Sequence, residues 1–137
     1  MTSGAQILQQ LIVSHLTSDT LITNALGGPK LYDRPPDRAT FPYVTLGQTA
    51  IFDQSTATES AHEHLVTLHI WSRKGGRLEA LQISDLLRTR LESLPTTSGI
   101  LRIVSLRFEY QEVRHDPEVD AYHGLLRYRG FTENTVL

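Results

Sequence analysis

Four stretches of this chain change polarity with a period of two, and that pattern restricts the fold more than any other feature. In residues 43–52, "YVTLGQTAIF", Val44 and Leu46 point one way and Tyr43 and Thr45 the other. In residues 63–72, "EHLVTLHIWS", Val66, Leu68 and Ile70 form one side, and Leu65, Thr67, His69 and Trp71 the other. In residues 101–114, Val104, Leu106, Phe108 and Tyr110 alternate with Ser105, Arg107, Glu109 and Gln111. In residues 121–132, Leu126 and Tyr128 alternate with Leu125, Arg127, Arg129 and Phe131. Strands with one apolar side belong to an antiparallel sheet with one covered face.

What covers it is also written in the chain. Residues 77–94 carry Ala80, Ile83, Leu87, Leu91 and Leu94 along one helical stripe, widened by Leu86, while Arg88, Arg90 and Glu92 face water; Pro95 and Gly99 end the pattern. Residues 4–16 place Leu8, Leu11, Ile12 and Leu16 at helical spacing, with Ser3 and Gln6 as a capping box. A second short helix carries Leu21, Ile22 and Leu26, capped by Ser18 or Asp19 and stopped by Gly27-Gly28. The order predicts one α+β domain over residues 1–137, a largely antiparallel sheet of about four strands with helices packed on one face. Leu8, Leu11, Ile12, Val66, Leu68, Ile70, Ile83, Leu87, Leu91, Val104, Leu106 and Phe108 are the expected core, and Tyr110 and Tyr128 are expected to join it.

Two connections stand out. "GGPKLYDRPPDRATFPYVTLGQ", residues 27–48, is rigid, irregular chain: Pro35, Pro36 and Pro42 cannot donate to a ladder and suit edges and turns, with a short strand at Leu31 and Tyr32. Residues 53–62, "DQSTATESAH", are small and polar and make a hairpin tip longer than the usual two to five residues. With about 3.3 Å per extended residue, such a tip could project roughly 15 Å as a mobile loop.

Catalytic chemistry is hard to find. The chain has no cysteine, which excludes disulfides, thiolate metal sites and a cysteine nucleophile. Six histidines invite a metal site, yet there is no HExxH and no compact ligand cluster; His62 and His64 would share a strand face without a third ligand. No serine lies in GxSxG or SxxK, and "NALGGPK" lacks phosphate-loop spacing. No cofactor is expected. The net charge is -2, with 3 basic and 6 acidic residues over 1–69 and 10 and 9 over 70–137, which is not the basic footprint of a duplex binder. No run approaches the roughly 20 apolar residues of a membrane span, and no signal peptide is read. The arginines Arg107, Arg127 and Arg129 lie on strands that pair, as cross-strand ion pairs or as a mixed face that meets another subunit.

Five segments in order, "PKLYDRPP", "FPYVTLGQ", "HLVTLHIWSRKGG", "RLEALQISDLL" and "RHDPEVDAYHGLLRYRG", resemble the small tail-completion or tail-terminator proteins of long-tailed phages and phage-like gene transfer agents. The resemblance implies a structural subunit that forms an oligomeric ring, with six copies favoured. It implies that the ring caps the tail tube, stops its polymerisation, joins a head-side connector or stopper protein, and passes DNA without reading its sequence. Such a protein is made in the bacterial cytoplasm and built into the particle at the head–tail junction. On this reading Tyr32, Asp33, Arg34, Pro35, Pro36, Arg107, Arg127 and Arg129 supply subunit or partner contacts, and Asp53, Gln54, Ser55, Thr56, Thr58 and Glu59 form a docking loop. The rival readings are a monomeric ligand- or nucleic-acid-binding α+β module and, further off, a metal-dependent hydrolase.

Overall fold

A computed structural model describes residues 4–134. Three helices, α1 (Gly4–Thr17), α2 (Thr20–Leu26) and α3 (Arg77–Leu91), accompany six strands: β1 (Leu31–Tyr32), β2 (Tyr43–Asp53), β3 (Ser60–Ser72), β4 (Thr97–Ser98), β5 (Leu101–Asp116) and β6 (Ala121–Asn134). The capping role expected of Ser3 lies outside the described residues. Asp19 caps α2, its carboxylate accepting from the Leu21 N–H at 2.8 Å, and Gly27 closes the helix in the left-handed region at φ 81°.

The strands form one sheet in the order β1-β2-β3-β6-β5-β4. This corrects the expectation of about four strands. β1 and β4 are two-residue additions at the two edges, and β1 runs parallel to β2, so the sheet is mixed. The four long strands pair antiparallel, as the alternation required.

The helices lie on the face that carries Val44, Leu68, Ile70, Leu126 and Tyr128, and Leu8, Ile12, Leu16, Ile83, Leu87 and Leu91 close the core against it. Gly124 lies opposite Ile70, and a Cβ on it would sit 3.3 Å from that side chain. Polar ties lock the layers. Ser72 donates to Glu79 at 2.6 Å, joining β3 to α3. Arg90 donates to the His15 carbonyl at 3.0 Å, joining the ends of α1 and α3. Arg88 and Arg90 are therefore half-buried, not simply solvated.

The expected core needs three corrections, all in β5. Val104, Phe108 and Tyr110 are 48%, 41% and 46% exposed. The register slips between Ile103 and Ser105, and again between Phe108 and Tyr110. Val104 is the extra residue of the first bulge, Glu109 of the second, and each bulge resets which side the next residues face. Phe108 keeps the helix side beside Tyr128, but on an edge strand, with the Arg88 guanidinium 3.7 Å from its ring centre. Leu11, Val66 and Leu106 are half-buried against the core, and Tyr128 is buried as expected.

The hairpin tip also differs. β2 and β3 pair out to Asp53 and His62, so only Gln54–Glu59 remain as turn. The turn is bonded to itself: Gln54 N–H to the Ala61 carbonyl at 2.9 Å, Thr56 N–H to the Glu59 carbonyl at 2.9 Å, and Ser55 N–H to the Asp53 carboxylate at 3.0 Å. A ten-residue excursion is thus replaced by a longer ladder with a compact polar end.

Candidate functional site

The face of the sheet opposite the helices has no covering layer among the described residues. Ladder partners place Tyr43, Thr45, Ala50 and Phe52 of β2 there, with Glu63, Leu65, Thr67, His69 and Trp71 of β3 beside them. His123, Leu125, Arg127, Arg129 and Phe131 of β6 follow, then Arg107, Tyr110, Glu112 and Arg114 of β5.

One end of this face is aromatic. His123 stacks on Trp71 with ring centres 4.2 Å apart and planes 2° from parallel. Its Nε2 lies 2.6 Å from His69 Nδ1, so one imidazole donates and the other accepts. Trp71 donates to the Thr45 hydroxyl at 3.2 Å. The row continues through Tyr43, 6.5 Å from Trp71, to Phe41 at 5.3 Å and Tyr32 at 6.1 Å. The proline-rich segment therefore delivers Tyr32 to the aromatic row, while Asp33, Arg34 and Pro36 stay exposed and Pro35 is half-buried.

The other end is charged. Arg129 donates to Glu109 at 2.6 Å and also binds Glu63, so one guanidinium bridges β3 and β5 across β6. Its hydrogen bond holds the Glu109 carboxyl below its usual range, and Arg129 itself is raised, first by Glu109. Arg107 sits opposite Arg129 in the ladder and makes no ion pair among the described residues. The Arg127 Nε and the Thr67 hydroxyl, opposite one another in the middle of the face, are buried without partners. The three arginines share one face, whereas the Tyr32 segment lies at the far edge of the same sheet. The docking-loop residues Asp53, Gln54, Ser55, Thr56, Thr58 and Glu59 are all exposed at the hairpin end.

The reading of side-chain types alone overlooked the His69–His123–Trp71 stack. Its signal was the period-two spacing of His69 and Trp71, but the partner from residue 123 needed the β3–β6 register. His64, expected to share a strand face with His62, is 1% exposed on the helix side and bonds the Thr132 hydroxyl at 2.7 Å, with its ring centre 6.3 Å from that of His62. Among the described residues no three His, Cys, Asp or Glu side chains converge on a metal position, and no helix is long and apolar enough to cross a membrane. The cavity beneath α1, lined by Leu8, Ile12, Leu46 and His64, measures about 20 Å³, room for one water.

Burial pushes His64, His69 and His123 below the ordinary histidine range; Arg127 lowers His69 further, and His69 lowers His123. A neutral folded histidine that charges readily when unfolded costs stability in acid. The stability is fully present above the unfolded value of about 6.5 and is lost as pH falls from there through the folded values. Chemical-unfolding midpoints should accordingly drop between about pH 7 and pH 5, and the paired His69→Gln, His123→Gln variant should show a shallower slope. An unchanged slope in that variant would locate the acid sensitivity elsewhere.

Residues 10–133 match the family model described as tail completion protein gp17. Among solved structures, a chain from the virion of a native gene transfer agent particle superposes with a TM-score of 0.79 at 22% identity, covering 98% of this chain and 100% of that one. The gp17 protein of bacteriophage SPP1 superposes with a TM-score of 0.67 at 20% identity, covering 97% and 94%. No curated protein matches.

Proposed function

The chain belongs to the tail completion protein gp17 family, and from that premise we propose that it is a structural component of a phage or gene-transfer-agent tail, built into a ring at the head-side end of the tube. The family match over residues 10–133 carries the reading. The ring, with six copies favoured, caps the tube, ends its polymerisation, receives the head-side connector or stopper, and leaves a channel for DNA. The uncovered sheet face supports this, because a half-buried arginine whose Nε lacks a partner, an unpaired Arg107 and an aromatic row together suit a surface completed by other chains. Tyr32, Asp33, Arg34, Pro35 and Pro36 contribute from one edge, and Arg107, Arg127 and Arg129 from the other half of the sheet. Contacts from different parts of the surface are what a head-to-tail ring requires. A reconstruction of the tail end that shows one copy, or a ring with both segments in open solvent, would refute the assignment.

The hairpin end is the proposed docking element against tube or connector. Replacing Ser55–Ser60 with Asn-Gly keeps the Gln54–Ala61 bond and closes the hairpin with a favoured two-residue turn. The shortened protein should fold, while tails overgrow or stay headless. Tails of normal length, joined to heads at normal yield, would show that the tip is dispensable.

A further inference from the structure

Both edges of the sheet are bare over most of their length. β1 covers only Val44 and Thr45 of β2, so the outer side of residues 46–53 has no strand partner. Ile51 and Phe52 are 44% and 49% exposed there, and the stretch Thr49–Phe52 holds no charge and no proline. At the opposite edge β4 reaches only Leu101 and Arg102, and the Ile103 N–H bonds the Thr96 carbonyl. From Val104 onward the outer side of β5 is open, with Val104, Phe108 and Tyr110 exposed. Uncovered strands of this length, edged with apolar side chains, are templates for another strand, and monomeric proteins protect them with prolines, lysines or a covering loop.

We infer that the two edges are made for each other: the outer edge of β2 in one copy pairs antiparallel with the outer edge of β5 in the next, so neighbouring sheets run on as one. This rests on the ring reading and specifies its interface. Two observations select a second copy as occupant. The first is polarity. Three antiparallel steps separate β2 from β5, so the two strands run in opposite directions. Head-to-tail repetition around an axis near the strand direction preserves polarity, so β2 arrives antiparallel to β5, like every other long pairing in the sheet. A β2-to-β2 contact would instead close as a two-fold dimer and leave β5 bare.

The second is side matching. Ile51 lies opposite His64 on the helix side, where Leu106 and Phe108 also lie, opposite Gly130 and Tyr128. Phe52 lies opposite Glu63 on the uncovered side, with Arg107 and Tyr110. Joining the edges sets apolar beside apolar on one side and an aromatic ring beside a free guanidinium on the other.

The absence of cysteine makes the test clean. Ile51→Cys is combined in turn with Leu106→Cys and with Phe108→Cys, and each double variant replaces the native protein in particle-producing cells. Tails are purified, oxidised and run without reductant. A reducible ladder of linked copies is expected from at least one pair, and no ladder beyond a dimer from any single variant. Tails that hold several copies per end yet give only monomer with both pairs would overturn the edge pairing and leave the ring intact. One copy per tail would overturn the ring and the pairing with it. Amide exchange on the native chain guards against variants that fail to assemble. Residues 50–52 and 106–108 should gain at least tenfold protection in tails over the free subunit, and unchanged exchange there would sink the inference.

Discussion

Leu87→Ala is expected to lose about 2–5 kcal/mol of stability. Leu87 is fully buried at the centre of the α3 stripe, between Ile83 and Leu91, in the same buried core as the sheet residues Leu68, Ile70 and Leu126. Ser72 ties the start of the helix to β3 through Glu79 at 2.6 Å, which limits how far the helix can settle into the space. A domain of this size has roughly 5–15 kcal/mol in total, so one truncation removes a large share. Urea or guanidinium unfolding would show a lower midpoint with an unchanged slope. Leu78→Ala, at a position 61% exposed on the same helix, should stay within about 0.5 kcal/mol. Equal losses at the two positions would mean that the buried stripe has been misassigned.

The second large effect is expected at Gly47, for want of space. A Cβ there would stand 2.4 Å from the Nε2 of His69 and 3.0 Å from the Cγ2 of Thr67. Gly47 lies where the β2–β3 register slips, between Leu46 and Thr49, and the His69 ring lies between it and His123, with Nε2 toward the glycine and Nδ1 toward His123. Gly47→Val must therefore displace His69, break the imidazole pair and disturb the stack of His123 on Trp71. Overpacking of this kind costs about 1–3 kcal/mol. Trp71 is the sole tryptophan, so its emission reports the stack directly. Adding His69→Ala removes the obstructing ring, and the double variant should recover part of the loss as a favourable coupling between neighbours. Strictly additive losses, or unchanged Trp71 emission in Gly47→Val, would show that the glycine serves some purpose other than clearance for His69.

Local chemistry explains what could be read from the chain. The stripe of Ala80, Ile83, Leu87 and Leu91 and the alternation of Leu68 and Ile70 determined helices on one side of an antiparallel sheet, because the 3.6 and 2.0 periods are set by backbone geometry alone. The ends of α2 were legible to within a residue, as Ser18 or Asp19 and Gly27-Gly28, because capping is satisfied within a few residues; the structure places them at Asp19 and Gly27. The absence of cysteine and the lack of a compact ligand motif pointed away from thiolate chemistry for the same reason: such sites announce themselves by residue type and spacing.

Whatever depended on register was beyond the sequence. Nothing in "LRIVSLRFEYQEV" announces that Val104 and Glu109 are extra residues, because a bulge is defined against the partner strand β6. Val104 and Tyr110 were misplaced for that reason, whereas Phe108 keeps the expected side and is exposed because β5 is an edge strand. The hairpin end was overestimated because the polar residues of 60–62 look like loop until their pairing with β6 is known, where Ser60 meets Asn134 and His62 meets Thr132. The meeting of His69 with His123, 54 positions apart, and the bridge from Glu63 through Arg129 to Glu109 arise only when three strands are laid side by side. Periodicity told this chain which residues turn inward; only tertiary pairing decided which of them stand next to each other and which edges stay open, because side-chain contacts across a sheet are set by register between strands and not by order along one.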